Sequence, residues 1–365
     1  MNRRSDLVTP KRRLRPFYQP ALGILSSCLA FLLGSATLLP AMAATPSPLL
    51  IIAHRGASGY LPEHTLEAKA LAYALGADYL EQDVVISKDL VGVVTHDLTL
   101  DATTDVREAY PGRARADGHW YVADFLWAEL ATLTIHERTQ EGAPTAAPPA
   151  RTGRFNTPGV HFRLHTLDEE LAFVRGLNRT LGASMGREVG VYTEVKSPAW
   201  HHTQGIDAAP IVLAALARHG YSKRSDKAFL QCFDFAELSR IRHELHSELQ
   251  LVQLIGENTW GESGSDYTRL LTPAGLQEIG AFADGVGPWI PQVLTFALGK
   301  TPVPTEFVAA AHAAGLVVHP YTLRTDDLPP GVKDFTALVH ALQAAGVDGA
   351  FTDFPDQLRR ASSLP

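Results

Sequence analysis

Cysteine is scarce: the 365-residue chain has only two, Cys28 and Cys232. Cys28 sits in an apolar run near the N-terminus, so a chain that loses this run keeps one thiol and cannot form an intrachain disulfide. Stability must then come from a core, for which 45% hydrophobic residues suffice. Positive charge is also in short supply, with 32 Lys and Arg against 39 Asp and Glu and a formal net charge of −7. That balance argues against nucleic acid as a general partner, and an anionic small substrate would need locally placed cations. No internal repeat of fixed period is present.

The N-terminal run has the order of a secretory signal: basic Arg3, Arg4, Lys11, Arg12, Arg13 and Arg15, then "ALGILSSCLAFLLGSATLLP", then the small residues "AMAA". Cleavage is expected after Ala43, with Ala44 as the alternative boundary. This gives a signal peptide at 1–43, a domain at 44–365 and a periplasmic or secreted protein with no stable membrane span after processing. "LSSC" loosely resembles a lipoprotein cleavage box, but a cut there would leave "LAFLLGSATLLP" on the mature protein.

Beyond the leader, β-rich runs alternate with helix-like stretches. The runs are "LLIIAHRG", "DYLEQDVVIS", "VGVYTEVK", "FLQCFD", "LQLVQLI", "DGVGP", "LVVHPYTLR" and "VDGAFTDFP". This alternation predicts an α/β fold, a (β/α)8 TIM barrel, with a doubly wound open sheet as the alternative. "VGVVTHD" at 91–97 follows the second run after a turn too short for a parallel crossover. It is therefore expected to return antiparallel and bring His96 beside Asp83. Residues 98–164 lose periodicity and gather Arg, Gly and Pro, with a short helix expected at "VADFLWAELATL". They read as an insertion between barrel strand 2 and helix 2 that lids or walls the site.

Polar residues fall where strands should end at the barrel's C-terminal face, where barrel active sites lie. His54 and Arg55 close the first strand, Glu81 and Asp83 lie on the second, and Glu194 and Lys196 close the third. Residues spaced by two share a strand face. Three converging carboxylates repel unless protonated or bridged, and oxygen donors suit calcium or magnesium better than zinc. The bland alternative makes them rim residues paired with Arg55 and Lys196. His54 and His96, arriving from different segments, suit a general acid and base.

Together "AHRGASGYLPEHTLEAKALAYALGADYLEQDV", "VVTHD", "TEVKSP", "LQCFD", "VVHPYT" and "GAFTDFPD" resemble the glycerophosphodiester phosphodiesterase family, specifically its exported, calcium-dependent bacterial type. The resemblance runs through nearly all of the mature chain. It implies a barrel enzyme that hydrolyses glycerophosphodiesters, small molecules derived from deacylated phospholipids, to sn-glycerol 3-phosphate and an alcohol. It makes His54 and His96 the acid/base pair, and Glu81, Asp83 and Glu194 the ligands of Ca2+, with Mg2+ as the alternative. Arg55 would meet phosphate oxygens through its planar fork.

Softer assignments stay open. Glu63 accepts from glycerol hydroxyls or holds Arg55; Lys196 neutralises phosphate or pairs with Glu194; Gln231 reaches a substrate oxygen or packs. Many family members have Asn where this chain has His64, a difference expected not to touch the chemistry. Cys232 is expected to point into the layer between strand and helix, His319 and Tyr321 to share a strand face near the mouth, and "HHTQ" at 201–204 to form a surface loop. No headgroup pocket is evident, so tolerance of the second alcohol is expected. Rival functions are a phospholipase with an exposed apolar rim and a non-catalytic exported binding protein, which should have lost a histidine or a carboxylate.

Overall fold

The apolar runs become the strands of one sheet. The computed structural model describes residues 49–140, 148–155, 157, 159–298 and 300–363; the expected signal peptide lies outside them. In chain order the strands are β1 (Leu50–Ala53), β2 (Tyr79–Ile86), β3 (Gly92–Val94), β4 (Thr134–Ile135), β5 (Phe162–Arg163), β6 (Gly190–Val195) and β7 (Ala228–Cys232). They continue with β8 (Gln250–Ile255), β9 (Gly285–Pro288), β10 (Leu294–Thr295), β11 (Val303–Pro304), β12 (Val317–Val318) and β13 (Gly349–Thr352). Neighbours along the order β12-β9-β8-β7-β6-β2-β1-β13 pair in parallel. At the seam, Leu323 N donates to Phe351 O (2.8 Å) and Phe351 N to Pro320 O (3.0 Å), so the sheet nearly closes into the expected barrel.

Strand and helix starts have local causes. Every residue of β2 is buried, as in a parallel strand covered on both faces, where the apolar run is nearly continuous. Helix Leu66–Ala74 begins at Thr65, whose hydroxyl accepts from Ala68 N, and Leu167–Leu177 begins in a capping box of Thr166 and Glu169. Each such cap is worth about 1 kcal/mol. Between strands and helices lies the main core, in which Cys232 is fully buried as expected. Inside the barrel, Ile52, Tyr79, Tyr192, Phe229, Val252 and Phe351 form a floor. Polar groups carried further along the strands stand above it.

β3 pairs antiparallel with β2, Val84 facing Val94, and Thr95 N donates to Asp83 O at 3.1 Å. The hairpin therefore returns as expected. The insertion follows it and precedes Leu167–Leu177, the second barrel helix. Its own cluster, including Leu100, Trp120, Phe125 and Phe162, also takes in Val85 and Val93 of the hairpin, which fixes it to the barrel. The helix expected at "VADFLWAELATL" is split into a turn at Val122–Asp124 and a short helix at Trp127–Leu130. Phe125 between them is extended (φ −114°, ψ 145°) and turns into that cluster.

Two expectations fail. "HHTQ" is mostly helix, Pro198–Thr203, started by a proline in its first turn, where the missing N–H costs nothing. His201 is buried there and its Nε2 accepts from Ile86 N at 3.1 Å, while His202 faces outward. His319 is not at the mouth: β12 ends before it, and its ring contacts Phe229 in the floor while Nδ1 meets the Tyr192 hydroxyl at 3.0 Å.

Candidate active site

The chain leaves β1 through a tight reversal that aims His54 and Arg55 at the barrel axis. Arg55 takes a left-handed conformation (φ 57°) and Gly56 follows at φ 90°, where a Cβ would come within 2.8 Å of the Ala68 backbone. Only glycine fits that position. Arg55 N donates to Glu81 Oε2 at 2.6 Å, which ties the strained turn to β2.

Glu81, Asp83 and Glu194 come together on adjacent strands, with carboxylate oxygens within 4.8 Å of one another. All three are buried. Burial, reinforced by Asp83, pushes Glu81 well above the usual carboxylate range. Burial also raises Glu194 well above the usual range, against the pull of Lys196 and with Asp83 adding to the rise. Asp83 goes the other way: burial opposes its charge, but the hydrogen bond from His64 and the nearby His96, His64 and Lys196 hold it low. Such a set has unmet demand for a cation, and its all-oxygen donors suit calcium or magnesium. A second cluster, His202, Asp207 and Glu237, differs in that Arg240 already bridges Asp207 (2.6 Å) and Glu237 (2.8 Å).

His54 Nδ1 lies 2.7 Å from Asp353 Oδ1, which assigns the Nδ1–H tautomer and leaves Nε2 with its lone pair. Burial and then Arg55 lower its pKa to about 3 against the pull of Asp353, so the imidazole is neutral. His96 Nδ1 lies 2.5 Å from Asp97 Oδ1, and its Nε2 lies 3.3 Å from Lys196 Nζ. Burial, Arg55 and Lys196 lower its pKa as well. Burial works against the charge of Lys196, but Glu194 at 3.0 Å, Asp83 and Glu262 outweigh it and raise its pKa. Two neutral imidazoles, each with a carboxylate behind Nδ1, are set up for proton transfer at Nε2.

His54, Arg55, Glu81, Asp83, His96, Glu194 and Gln231 line one cavity of about 420 Å³. Gln231 is buried, and its Oε1 has no hydrogen-bond partner among the described residues. Glu63 and Lys196 stand outside that lining. Glu63 holds Arg55 at 3.0 Å, and Lys196 pairs with Glu194 and borders an adjoining cavity of about 390 Å³ on the far side of His96.

Sequence reasoning missed several groups. His64 Nε2 lies 2.9 Å from Asp83 Oδ2, so the residue at 64 does touch a candidate metal ligand, contrary to expectation. Asp97 and Asp353 stood in the quoted motifs "VVTHD" and "GAFTDFPD" without a role. Arg138 and Arg154 belong to the insertion, where no periodicity marks any residue. The cavity wall also carries Phe233, Trp260, Trp289 and Tyr321; Tyr321 stands at the mouth as expected, whereas Trp260 and Trp289, in the segments after β8 and β9, had no signal in the sequence.

Residues 54–357 match the model of the glycerophosphoryl diester phosphodiesterase family. A glycerophosphodiester phosphodiesterase of Haemophilus influenzae is 42% identical over 85% of this chain and 88% of its own length. One of Treponema pallidum is 38% identical over 86% and 92%. Among solved structures, a putative glycerophosphoryl diester phosphodiesterase of Silicibacter pomeroyi superposes with a TM-score of 0.64 at 25% identity, covering 87% of this chain and 94% of that one. An Oleispira antarctica phosphodiesterase in complex with the product sn-glycerol-3-phosphate superposes with a TM-score of 0.56 at 18% identity, covering 87% and 98%.

Proposed function

Since the chain belongs to the glycerophosphoryl diester phosphodiesterase family and is a glycerophosphodiester phosphodiesterase, we propose that it works as an exported, calcium-dependent enzyme with His54 and His96 as general acid and base. The products would be sn-glycerol 3-phosphate, which the Oleispira enzyme binds as product, and a free alcohol. The observation that carries the reading is the meeting in one cavity of three buried carboxylates, a guanidinium and two carboxylate-backed imidazoles. Export rests on the leader at 1–43, with 44–365 as the single catalytic domain.

Glu81, Asp83 and Glu194 would hold the cation, which supplies positive charge to a non-bridging phosphate oxygen. Arg55, fixed by Glu63, offsets the remaining phosphate charge as it spreads in the transition state. One neutral imidazole takes the proton of the nucleophile at Nε2; the other acts as acid only after it has taken up a proton from solvent at Nε2, its carboxylate offsetting the imidazolium charge, and gives that proton to the departing alcohol oxygen. The nucleophile is either water or the glycerol 2-hydroxyl, which would form a cyclic phosphate first. Gln231 lines the cavity, and its Oε1, without a hydrogen-bond partner among the described residues, would be the acceptor for a substrate hydroxyl.

Release of glycerol 3-phosphate tests the reading. Glycerophosphocholine and glycerophosphoethanolamine are expected to differ by less than about tenfold in kcat/KM, or about 1.4 kcal/mol. Bis(p-nitrophenyl) phosphate, which lacks glycerol, is expected to be far poorer because groups built for its hydroxyls stay unpaired. Equal efficiency on that diester would make the protein a general phosphodiesterase. One observation favours a second reading, action on intact phospholipid: Trp260 and Trp289, 44% and 37% exposed, stand on the cavity wall. Hydrolysis of phospholipid and not of glycerophosphocholine would establish it.

His64 gives a separate prediction. His64→Ala removes the donor to Asp83 and is expected to raise the calcium concentration for half-maximal activity about 10- to 100-fold, the usual cost of losing a ligand's supporting hydrogen bond. His64→Asn keeps a donor and should change it less. An unaltered calcium requirement in folded His64→Ala would remove His64 from the site.

A further inference from the structure

We propose that the insertion acts on the reaction as a positioning element, through Arg138 and Arg154, which fix the two carboxylates standing behind His54 and His96. The proposal rests on the reading of these histidines as the proton-transfer pair. Asp353 splits its two oxygens: Oδ1 meets His54 Nδ1, and Oδ2 accepts from Arg154 Nη2 at 2.6 Å and Arg324 Nε at 2.7 Å. Asp97 divides in the same way, with Oδ1 on His96 Nδ1 and Oδ2 on Arg138 Nη1 at 2.6 Å. A carboxylate held only by its histidine can turn about the Cβ–Cγ bond and carry the imidazole with it. With its second oxygen clamped, the ring plane and the direction of Nε2 are set.

Neither arginine reaches the cavity that holds the catalytic groups, and Arg138 borders only the adjoining one beside His96. Arg154 spends its remaining donors on Asp326 (2.8 and 3.2 Å) and Ser58 O (3.2 Å), and its side chain is 6% exposed. Arg138 spends its own on Glu63, through Nε at 2.9 Å and Nη2 at 2.6 Å. Neither lines the cavity that holds the histidines and the three carboxylates. They act through other residues, and Arg138 acts on two, because Glu63 in turn holds Arg55. The insertion thus reaches both histidines and the phosphate clamp from one side of the barrel. Its value to the enzyme lies in orientation, since rates fall steeply when reacting groups are misaligned.

The test uses the full chain with calcium and glycerophosphocholine, comparing Arg154→Ala and Arg138→Ala with Arg163→Ala. Arg163 is an insertion arginine that contacts the backbone carbonyls of Thr132 and Leu133. Arg154→Ala is expected to lower kcat about 10- to 100-fold with KM little changed, the scale of loss that small misplacement produces. Arg138→Ala should lower kcat and also raise KM, because Arg55 loses its brace. Arg163→Ala should do neither. Added guanidinium should restore part of the kcat of Arg154→Ala while leaving wild type unchanged.

Histidine-labelled nitrogen NMR on calcium-free protein supplies a readout that general loosening would not reproduce. Arg154→Ala should blur the single Nδ1–H tautomer at His54 only in part, because Arg324 Nε still holds Asp353 Oδ2, and keep it at His96, whereas Arg138→Ala should lose it at His96 and keep it at His54. Wild-type kcat in either folded variant, or unchanged tautomers at both histidines, overturns the proposal. If an alanine variant does not fold, Arg154→Lys and Arg138→Lys decide, because lysine keeps the charge without the two-pronged fork. Lysine variants with the same selective tautomer loss support the proposal, and lysine variants with wild-type kcat overturn it.

Discussion

Stripped of divalent cation by a chelator, the purified protein is expected to release no glycerol 3-phosphate, and calcium is expected to restore activity. The expectation follows from three buried carboxylates whose oxygens approach within 4.8 Å, two of them with pKa values raised chiefly by burial, with Asp83 adding to the rise. Lys196 pairs with only one, and Arg55 is shared between Glu63 and Asp83. Glu81→Gln or Asp83→Asn removes a charged oxygen donor and should raise the calcium requirement beyond the about 10- to 100-fold expected for His64→Ala. Binding should also show without catalysis: calcium at one hundred times its Kd adds about 2.7 kcal/mol to the folded state and raises Tm. Full turnover by a sample shown metal-free by elemental analysis would end the metal assignment.

The barrel was legible because its strands are covered on both faces and so read as apolar runs, several of them broken by polar residues at one end. β2 is the clearest instance: "YLEQDVVI" carries Glu81 and Asp83 to one side at a spacing of two, and its register with β6 sets Asp83 directly beside Glu194. Strand periodicity carried that much of the site. The return of β3 was legible for a similar reason, since chain length alone forbade a parallel crossover.

What escaped the sequence has no periodicity to betray it. Arg154 lies 199 residues from Asp353, and Arg138 lies 75 from Glu63. Pairs so distant, and carried by irregular chain, are joined only by the packing of the insertion on the barrel. His64 was misjudged because its role depends on a left-handed backbone (φ 56°) that turns the ring back toward Asp83, which local sequence does not display. His201 and His319 were misplaced for a related reason. Whether a histidine faces solvent, floor or mouth is decided by where a short helix or strand ends, which is the least legible feature of a sequence.

His54→Ala and His96→Ala are each expected to lower kcat for glycerophosphocholine by about 10²- to 10⁴-fold, the usual worth of a positioned proton-transfer group. Both variants should stay folded, because neither leaves a buried carboxylate stranded: Asp353 keeps Arg154 and Arg324, and Asp97 keeps Arg138. The two losses should respond differently to the leaving group. An alcohol departs poorly as an alkoxide and needs the acid, whereas a p-nitrophenolate leaves without help. On glycerophospho-p-nitrophenol, the variant lacking the general acid should therefore recover most of its turnover, and the variant lacking the base should not. That contrast would tell which histidine protonates the alcohol. Near wild-type turnover of glycerophosphocholine in either folded variant would remove that histidine from the mechanism. Equal recovery of both on the activated substrate would mean that neither acts as a dedicated base, leaving activation of the nucleophile to groups other than the two imidazoles.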